Sequence, residues 1–520
     1  MKKIIIHFLA IFFSVNGFGQ ITFQKTYGGI NWEWATSLKQ AADGGYYILG
    51  TTNSFGADTN DVYLLKTDAD GNLLWSKTFG GSGYDNGTSL LVTAESNLII
   101  LGSTTSFGAG NSDIYLIKTD GNGNLIWSKT YGGINDDGVA SIQQTSDGGF
   151  IIVGNTSSFG AGNSDVYAIR TDVNGDTLWT KTYGAAMPES ATSVRQASDG
   201  GFIIAGGTNR IGKGSIYIIK TNSQGDLSWS RTYGDWGRNY TNQLLVTNNN
   251  GEIFICDGRS SPGVHEVCLM KMENTGHILW VKKPGGMFSN KSFTIGANGE
   301  FIISGSKGAH QHFDASMVRC DSNGNIISVA SYLSPYPHFQ SFMDAFQTND
   351  GGFIMAGTTD YYGLGYYDIL LVKTDLNGNS GCNDSLLANG TTMNDTILSF
   401  DSSTVVSPTN TVVNIPNTIV GTGCITTTIC YAVGITEASK EDNIFSLSPN
   451  PATSELRIEN AELRIEKIEL YDLIGEKVFQ SNISNLTSQI SIEVSQLHSG
   501  IYFVRVKTDK GIRAAKFVKE

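Results

Sequence analysis

The sequence predicts an all-β chain in which one unit of about fifty residues is written seven times, and three observations carry that expectation. A turn marker recurs as "KTDADGN" at Lys66, "KTDGNGN" at Lys118, "RTDVNGD" at Arg170, "KTNSQGD" at Lys220, "KMENTGH" at Lys271, "RCDSNGN" at Arg319 and "KTDLNGN" at Lys373. A second marker, "DGG", stands at Asp43, Asp147, Asp199 and Asp350, with relaxed forms at Glu95, Asn249 and Ala297. Between the markers, apolar and polar residues alternate with period two, bounded by Gly, Asn and Asp, and no helical period is present.

Each unit divides into four short strands. In the first copy "ATSLKQA" (from Ala35) runs into the "DGG" turn, which leads to "YYILGTT". The loop "NSFGADTND" joins this to "VYLLKTD", and the Gly-containing turn feeds "NLLWSKTFGG". Four strands per unit and seven units predict a seven-bladed β-propeller over residues 20–379. The seventh copy lacks its last strand, and "ITFQKTYGG" (Ile21–Gly29) supplies it from the other end of the repeats. Its insertion would close the ring and remove an open sheet edge. Trp75, Trp127, Trp179, Trp229 and Trp280 share one register of the fourth strand and are expected to pack on the adjacent blade. Copy six has Ser328 there, and copy five departs after its Trp as "WVKKPGG", so these blades are expected to be the least regular.

The flanks read differently. Residues 1–19 combine Lys2 and Lys3 with an apolar run and a small-residue cut site, the pattern of a secretory signal peptide. No Cys follows the cut, which argues against a lipid anchor, and no segment offers the roughly 20 apolar residues of a membrane span. Residues 380–443, rich in Thr, Ser and Asn, are read as a linker or a small β segment. Residues 444–520 alternate apolar runs with Gly turns and predict a small β-sandwich.

Two resemblances add to this reading. "DADGNLLW" and its kin resemble the tryptophan-docking repeats of quinoprotein propellers, and the larger unit resembles propeller repeats of exported bacterial proteins. That similarity implies the fold; the adjacent-cysteine pair and calcium ligands of the quinone enzymes are not seen. The tail contains "SLSPNPATSELRI", "KIELYDLIGEKVF" and "VSQLHSGIYFVRVKTDKG" and looks like the type A C-terminal sorting domain of the type IX secretion system of Bacteroidota. Pro449, Asn450 and Pro451 match its entry motif, with Ser448 where the family prefers an aromatic, and Gly500, Tyr502 and Lys516–Lys519 match further on. The resemblance implies recognition by the type IX machinery and a secreted or cell-surface location.

A net charge of −13 with 16% charged residues argues against nucleic acid, whose phosphates need clustered cations. It is compatible with cations or with neutral polar molecules such as glycans. Six cysteines in an exported chain could form disulfides; none has the CxxC spacing of a zinc site.

Function is expected on the face carrying the long loops. Glu33, Asp85, Asp137 and Glu189 stand four residues past the Gly-Gly (or Gly-Ala) marker, followed in the later copies by Asn239, Asn290 and His338. The four carboxylates could ligate Ca2+ or accept bonds from sugar hydroxyls; alternatively each caps its own loop. Glycoside cleavage would need two carboxyls about 5–9.5 Å apart, which a repeat does not establish. Phe55, Phe107 and Phe159 are either stacking platforms for a glycan or pins that hold each loop down. His265, His310, His312 and His338 fall in loops of the later copies, with His310 and His312 as the weak candidates for a metal. No nucleophile elbow, HExxH, P-loop or dinucleotide fingerprint occurs. The expected function is therefore an exported, non-enzymatic propeller that binds a glycan, protein or surface partner. The alternatives are a hydrolase or lyase using those carboxylates, and a structural adhesin or matrix protein.

Overall fold

The computed structural model describes residues 20–520 apart from 58, 210–214, 234–237, 247–252, 262–263, 285–287, 310–311, 335–337, 383, 389–391, 395–398, 402–404, 409–411, 415–418, 422–423, 434–444, 461–464, 472–476, 483–488, 509–510 and 520. The leader expected at 1–19 lies outside the described residues, as does His310. No helix among them is long and apolar enough to cross a membrane. The chain divides into two compact units, 22–430 and, at the C-terminal end, 431–520.

In the larger unit the alternating segments form antiparallel meanders. Blade 1 consists of Glu33–Gln40, Tyr46–Thr52, Asp61–Thr67 and Leu73–Gly80, hydrogen-bonded in that order. Blades 2 to 6 repeat the pattern, starting at Asp85, Asp137, Glu189, Arg238 and Phe288. Blade 7 takes Gln340–Gln347, Phe353–Thr359 and Asp368–Thr374 from the seventh copy, and its fourth strand is Ile21–Gly28, paired antiparallel from Phe23↔Lys373 to Tyr27↔Ile369. The second and third strands of blades 1 and 7 are buried at every position, polar residues such as Asp61, Lys66, Asp368 and Lys373 included.

Two repeated devices bind the blades together. The fourth-strand tyrosine reaches the turn glycine of the next blade: Tyr27, Tyr131, Tyr183 and Tyr233 each donate a hydroxyl, at 2.6 Å, to the carbonyls of Gly71, Gly175, Gly225 and Gly276. Trp75, Trp127, Trp179, Trp229 and Trp280 lie against the corresponding glycines, half-buried rather than enclosed. Within a blade the two sequence markers pair with each other: Lys66 with Asp43 at 2.7 Å, Lys220 with Asp199 at 2.7 Å and Lys373 with Asp350 at 2.9 Å. The "KTD" turn itself is closed by its own Asp; Asp68 Oδ1 accepts from the amides of Asp70 and Asn72, and Gly71 takes a left-handed φ of 74°.

Residues 384–433, read above as a linker or small β segment, are distributed around the whole propeller. Asp384–Ala388 adds a fifth strand to blade 6, Thr392–Asn394 to blade 5, Ser399–Asp401 to blade 4 and Val405–Pro408 to blade 3. Val412–Asn414 then covers blade 2, Ile419–Gly421 blade 1 and Ile425–Val433 blade 7. The strands from 392 onward begin six or seven residues apart. At about 3.3 Å per extended residue that spacing is roughly 20 Å, enough to step from one outer edge to the next. The physical reason is the exposed edge each four-stranded blade would otherwise present. Cys382, at the start of this belt, is disulfide-bonded, whereas Cys268, Cys320 and Cys424 carry thiols.

The C-terminal unit packs a three-stranded sheet (Phe445–Ser448, Glu455–Asn460, Gln489–Glu493) with a four-stranded one (Ile465–Tyr471, Lys477–Asn482, Gly500–Thr508, Gly511–Lys519). Leu456, Ile458, Ile468, Leu470, Val504, Val506 and Phe517 form its core. Pro449, Asn450 and Pro451 are exposed, and Asn450 ties them to the last strand by accepting from Val518 N at 2.9 Å. Tyr502 stacks on Phe517 at 5.6 Å and donates to His498 O, and Gly500 begins that strand. Although burial opposes it, Lys467 and Lys477 hold the carboxyl of Glu469 down to about 2, which gives the charged stretch in this domain a structural use.

Candidate functional site

The long loops share one face because each loop before a blade zips onto the second-to-third-strand loop of the preceding blade. Glu33 N donates to Tyr367 O at 2.9 Å, Asp137 N to Ser112 O at 2.7 Å and Glu189 N to Ser164 O at 2.9 Å.

The recurring carboxylates sit at the base of these loops. Glu33, Asp85, Asp137 and Glu189 are each 0–1% exposed. Glu33 Oε2 accepts from Gly29 N at 2.8 Å and Oε1 from Thr52 Oγ1 at 2.7 Å. Asp85 accepts from Gly81 N and Ser106 Oγ, Asp137 from Gly133 N and Ser158 Oγ, and Glu189 from Ala185 N and Thr208 Oγ1. Each therefore holds the first turn of its own loop. A second buried acid from the third strand of the preceding blade faces each one. Asp368 and Glu33 flank Gly28, as Asp113 and Asp137 flank Gly132, and a methyl group added to either glycine would collide with the Asp. Burial, and secondarily the charge of Glu33, push the Asp368 carboxyl up to about 6; Asp113 is raised by burial and by Asp137.

The recurring phenylalanines lie beside them. Phe55, Phe107 and Phe159 are half-buried, each 5.8 Å from Tyr63, Tyr115 or Tyr167. Of the histidines, His312 pairs with Asp314 at 3.4 Å and His338 with Asp360 at 3.4 Å. The side chains of His265, Asn239 and Asn290 lie outside the described ones. Among the described residues no group of three His, Cys, Asp or Glu side chains is arranged to hold a metal ion.

A concavity on this face lies where blade 7 meets blade 1. A cavity of about 370 Å³ is lined by Trp32 and Trp34 from blade 1, Phe339, Ser341, Met343, Thr358 and Tyr367 from blade 7, and Lys291 from blade 6. Its volume falls in the range of small-ligand sites, roughly 300–1,000 Å³. Trp32 is edge-on to Trp34 at 6.2 Å and tilted against Tyr367 at 5.2 Å; Phe339 meets Tyr367 at 6.3 Å. The rim continues outward through Tyr366, 68% exposed, and Tyr361, which lies against His338 at 4.5 Å. Trp32 itself is 45% exposed, so a broad aromatic surface borders the opening. The sequence reading named none of these lining residues. The signal that finds them is a departure from the repeat: "GGINWEWA" stands where the third copy has "GGINDDGV".

Comparison with known proteins bears on the two units separately. Residues 446–520 match the family model described as a secretion system C-terminal sorting domain. The C-terminal sandwich is thus a type IX sorting signal, and the chain is exported to the cell surface or released. A curated relative, the regulatory protein FlaEY of Caulobacter vibrioides, is 26% identical over 201 residues, covering 32% of this chain and 21% of that protein. The match thus spans about a fifth of the length of that relative. Among solved structures, a streptogramin B lyase aligns with a TM-score of 0.40 at 12% identity, over 68% of this chain and 98% of that one. An endo-1,5-alpha-L-arabinanase from Thermotoga petrophila aligns at 0.25 and 11%, over 68% and 100%.

Proposed function

We propose that this is an exported binding propeller, carried out of the cell by its sorting domain, that captures a glycan on its long-loop face without cleaving it. The observation that carries the reading is the aromatic cavity between blades 7 and 1. Flat rings set at angles to one another offer stacking faces to a sugar, and the hydroxyls of Ser341 and Thr358 lie among them to meet its polar edge. Among the described residues the lining holds no carboxyl group, and acid–base cleavage of a glycosidic bond calls for two. The nearest recurring acid in sequence, Glu33, is occupied by its loop.

A glycan array probed with the full mature chain tests this. Binding to a defined set of glycans, lost when Trp32 and Trp34 are both replaced by Ala and with no shortening of the bound glycan, is the expected outcome. An array without a hit, or release of shorter products from a hit, would overturn it.

A further inference from the structure

Building on that binding reading, we infer that the cavity between blades 7 and 1 selects sugars bearing a negative charge, with the Lys291 ammonium as the group that reads the charge. The argument begins with the backbone. Every described first strand has a bulge at the same place, where one residue drops out of the ladder and its side chain is re-aimed. In blades 1 to 4 that residue is Thr36, Thr88, Ala140 and Thr192, all small. In blade 6 the register skips from Asn290 to Ser292, and the bulged residue is Lys291. Among the described residues, the one cation in the cavity lining thus occupies a position where four other blades carry nothing larger than threonine.

That cation is available. Lys291 is exposed, and among the described residues no carboxylate pairs with it. Asp344, the acid on the neighbouring first strand, is already engaged by Leu38 N at 2.9 Å, Ser292 Oγ at 3.1 Å and Lys39 at 3.4 Å. A second group points the same way. The Ser341 hydroxyl lines the cavity, is buried, and has no hydrogen-bond partner among the described residues. A buried hydroxyl left in that condition is costly, and an anionic oxygen reaching it would accept its proton in a short charge-assisted bond. Stacking on Trp34 is indifferent to ligand charge, so discrimination falls to Lys291 and Ser341. The overall charge of −13 does not cancel this, because at physiological ionic strength fields are screened beyond about 8 Å, whereas an ion pair across the cavity is much shorter.

The test is calorimetric titration of the full mature chain with three probes: a tetragalacturonate, the same oligomer fully methyl-esterified, and a sulfated oligosaccharide with an otherwise neutral backbone. The ester keeps the rings and removes the charge. Tetragalacturonate should bind at least tenfold more tightly than its ester in 0.15 M salt. Lys291→Met should reduce that ratio to about one, and Trp34→Ala should weaken binding of both. Tight, Lys291-dependent binding of the sulfated probe also supports the inference and identifies charge rather than the carboxylate as what is read. Equal affinity for acid and ester, or a ratio that survives Lys291→Met, overturns it. If only neutral glycans bind, and do so through Trp34, the charge inference falls and the binding reading stands; if no saccharide binds, both fall.

Discussion

The junction of blades 2 and 3 and the junction of blades 7 and 1 share one backbone. In each, the residue before the buried acid forms an isolated parallel bridge to the preceding blade, Asp136 to Ser112 in one and Trp32 to Tyr367 in the other. In each, a glycine is held between two buried carboxylates. The side chains directed outward from this frame differ most: Asp136, Ser112 and Gly138 at one seam, Trp32, Tyr367 and Trp34 at the other. One seam is polar and the other an aromatic cavity. The recurring residues build the frame, and the residues that break the repeat build the site.

Breaking the shared frame should have the largest effect, and the same effect at both seams. Gly132→Ala and Gly28→Ala drive a methyl group into Asp113 and Asp368, so each should cost at least about 3 kcal/mol in urea unfolding. Gly207→Ala, where nothing lies closer than 3.9 Å, should stay within about 0.5 kcal/mol. A clear difference between the two seams would refute the common frame.

Converting one seam into the other comes next. Trp32→Asp combined with Trp34→Gly brings the third-copy residues to these two positions. The double variant should weaken binding of an array-selected glycan about 100-fold, or roughly 2.7 kcal/mol, with little change in far-ultraviolet circular dichroism.

The seams should also differ in their response to pH. Asp368 is pushed up to about 6 in the folded state against an ordinary carboxyl value of 3.8, so the folded protein retains this proton longer. Its contribution is therefore present at low pH, is lost as pH rises from about 4 through 6, and is flat above that. The ceiling is about 3 kcal/mol. Asp368→Asn should flatten the urea midpoint between pH 4.5 and 7.5 more than Asp113→Asn does; a steeper slope in the Asn variant would contradict the assignment.

The smallest effect compares blade contacts. Tyr131→Phe removes the buried bond to Gly175 O and should cost about 1 kcal/mol, whereas blade 1 already has Phe79 at the equivalent position. Phe79→Tyr should recover part of that amount as a raised unfolding midpoint.

Much of this frame was legible because repetition averages out local noise. Seven turns and seven "DGG"-type markers located the strands, and the orphan segment Ile21–Gly28 pairs with Asp368–Thr374. That Lys66 meets Asp43 was not legible, since it depends on hairpin register rather than on either motif alone. The cavity escaped for a related reason: a search for recurrences passes over Trp32, Trp34 and Lys291, each of which occurs once in its register. The belt escaped because three-residue strands such as Val412–Asn414 are too short to display a period. Their regular spacing was the remaining trace.

That belt has a mechanical consequence. From blade 7 it passes to blade 6 and on through 5, 4, 3, 2 and 1 before returning to blade 7, so it crosses every seam once. Neighbouring blades are therefore joined at their outer edges by the belt as well as by the packing between them. Because each belt strand pairs with the fourth strand of a blade, the hoop closes over the outer edge of all seven sheets.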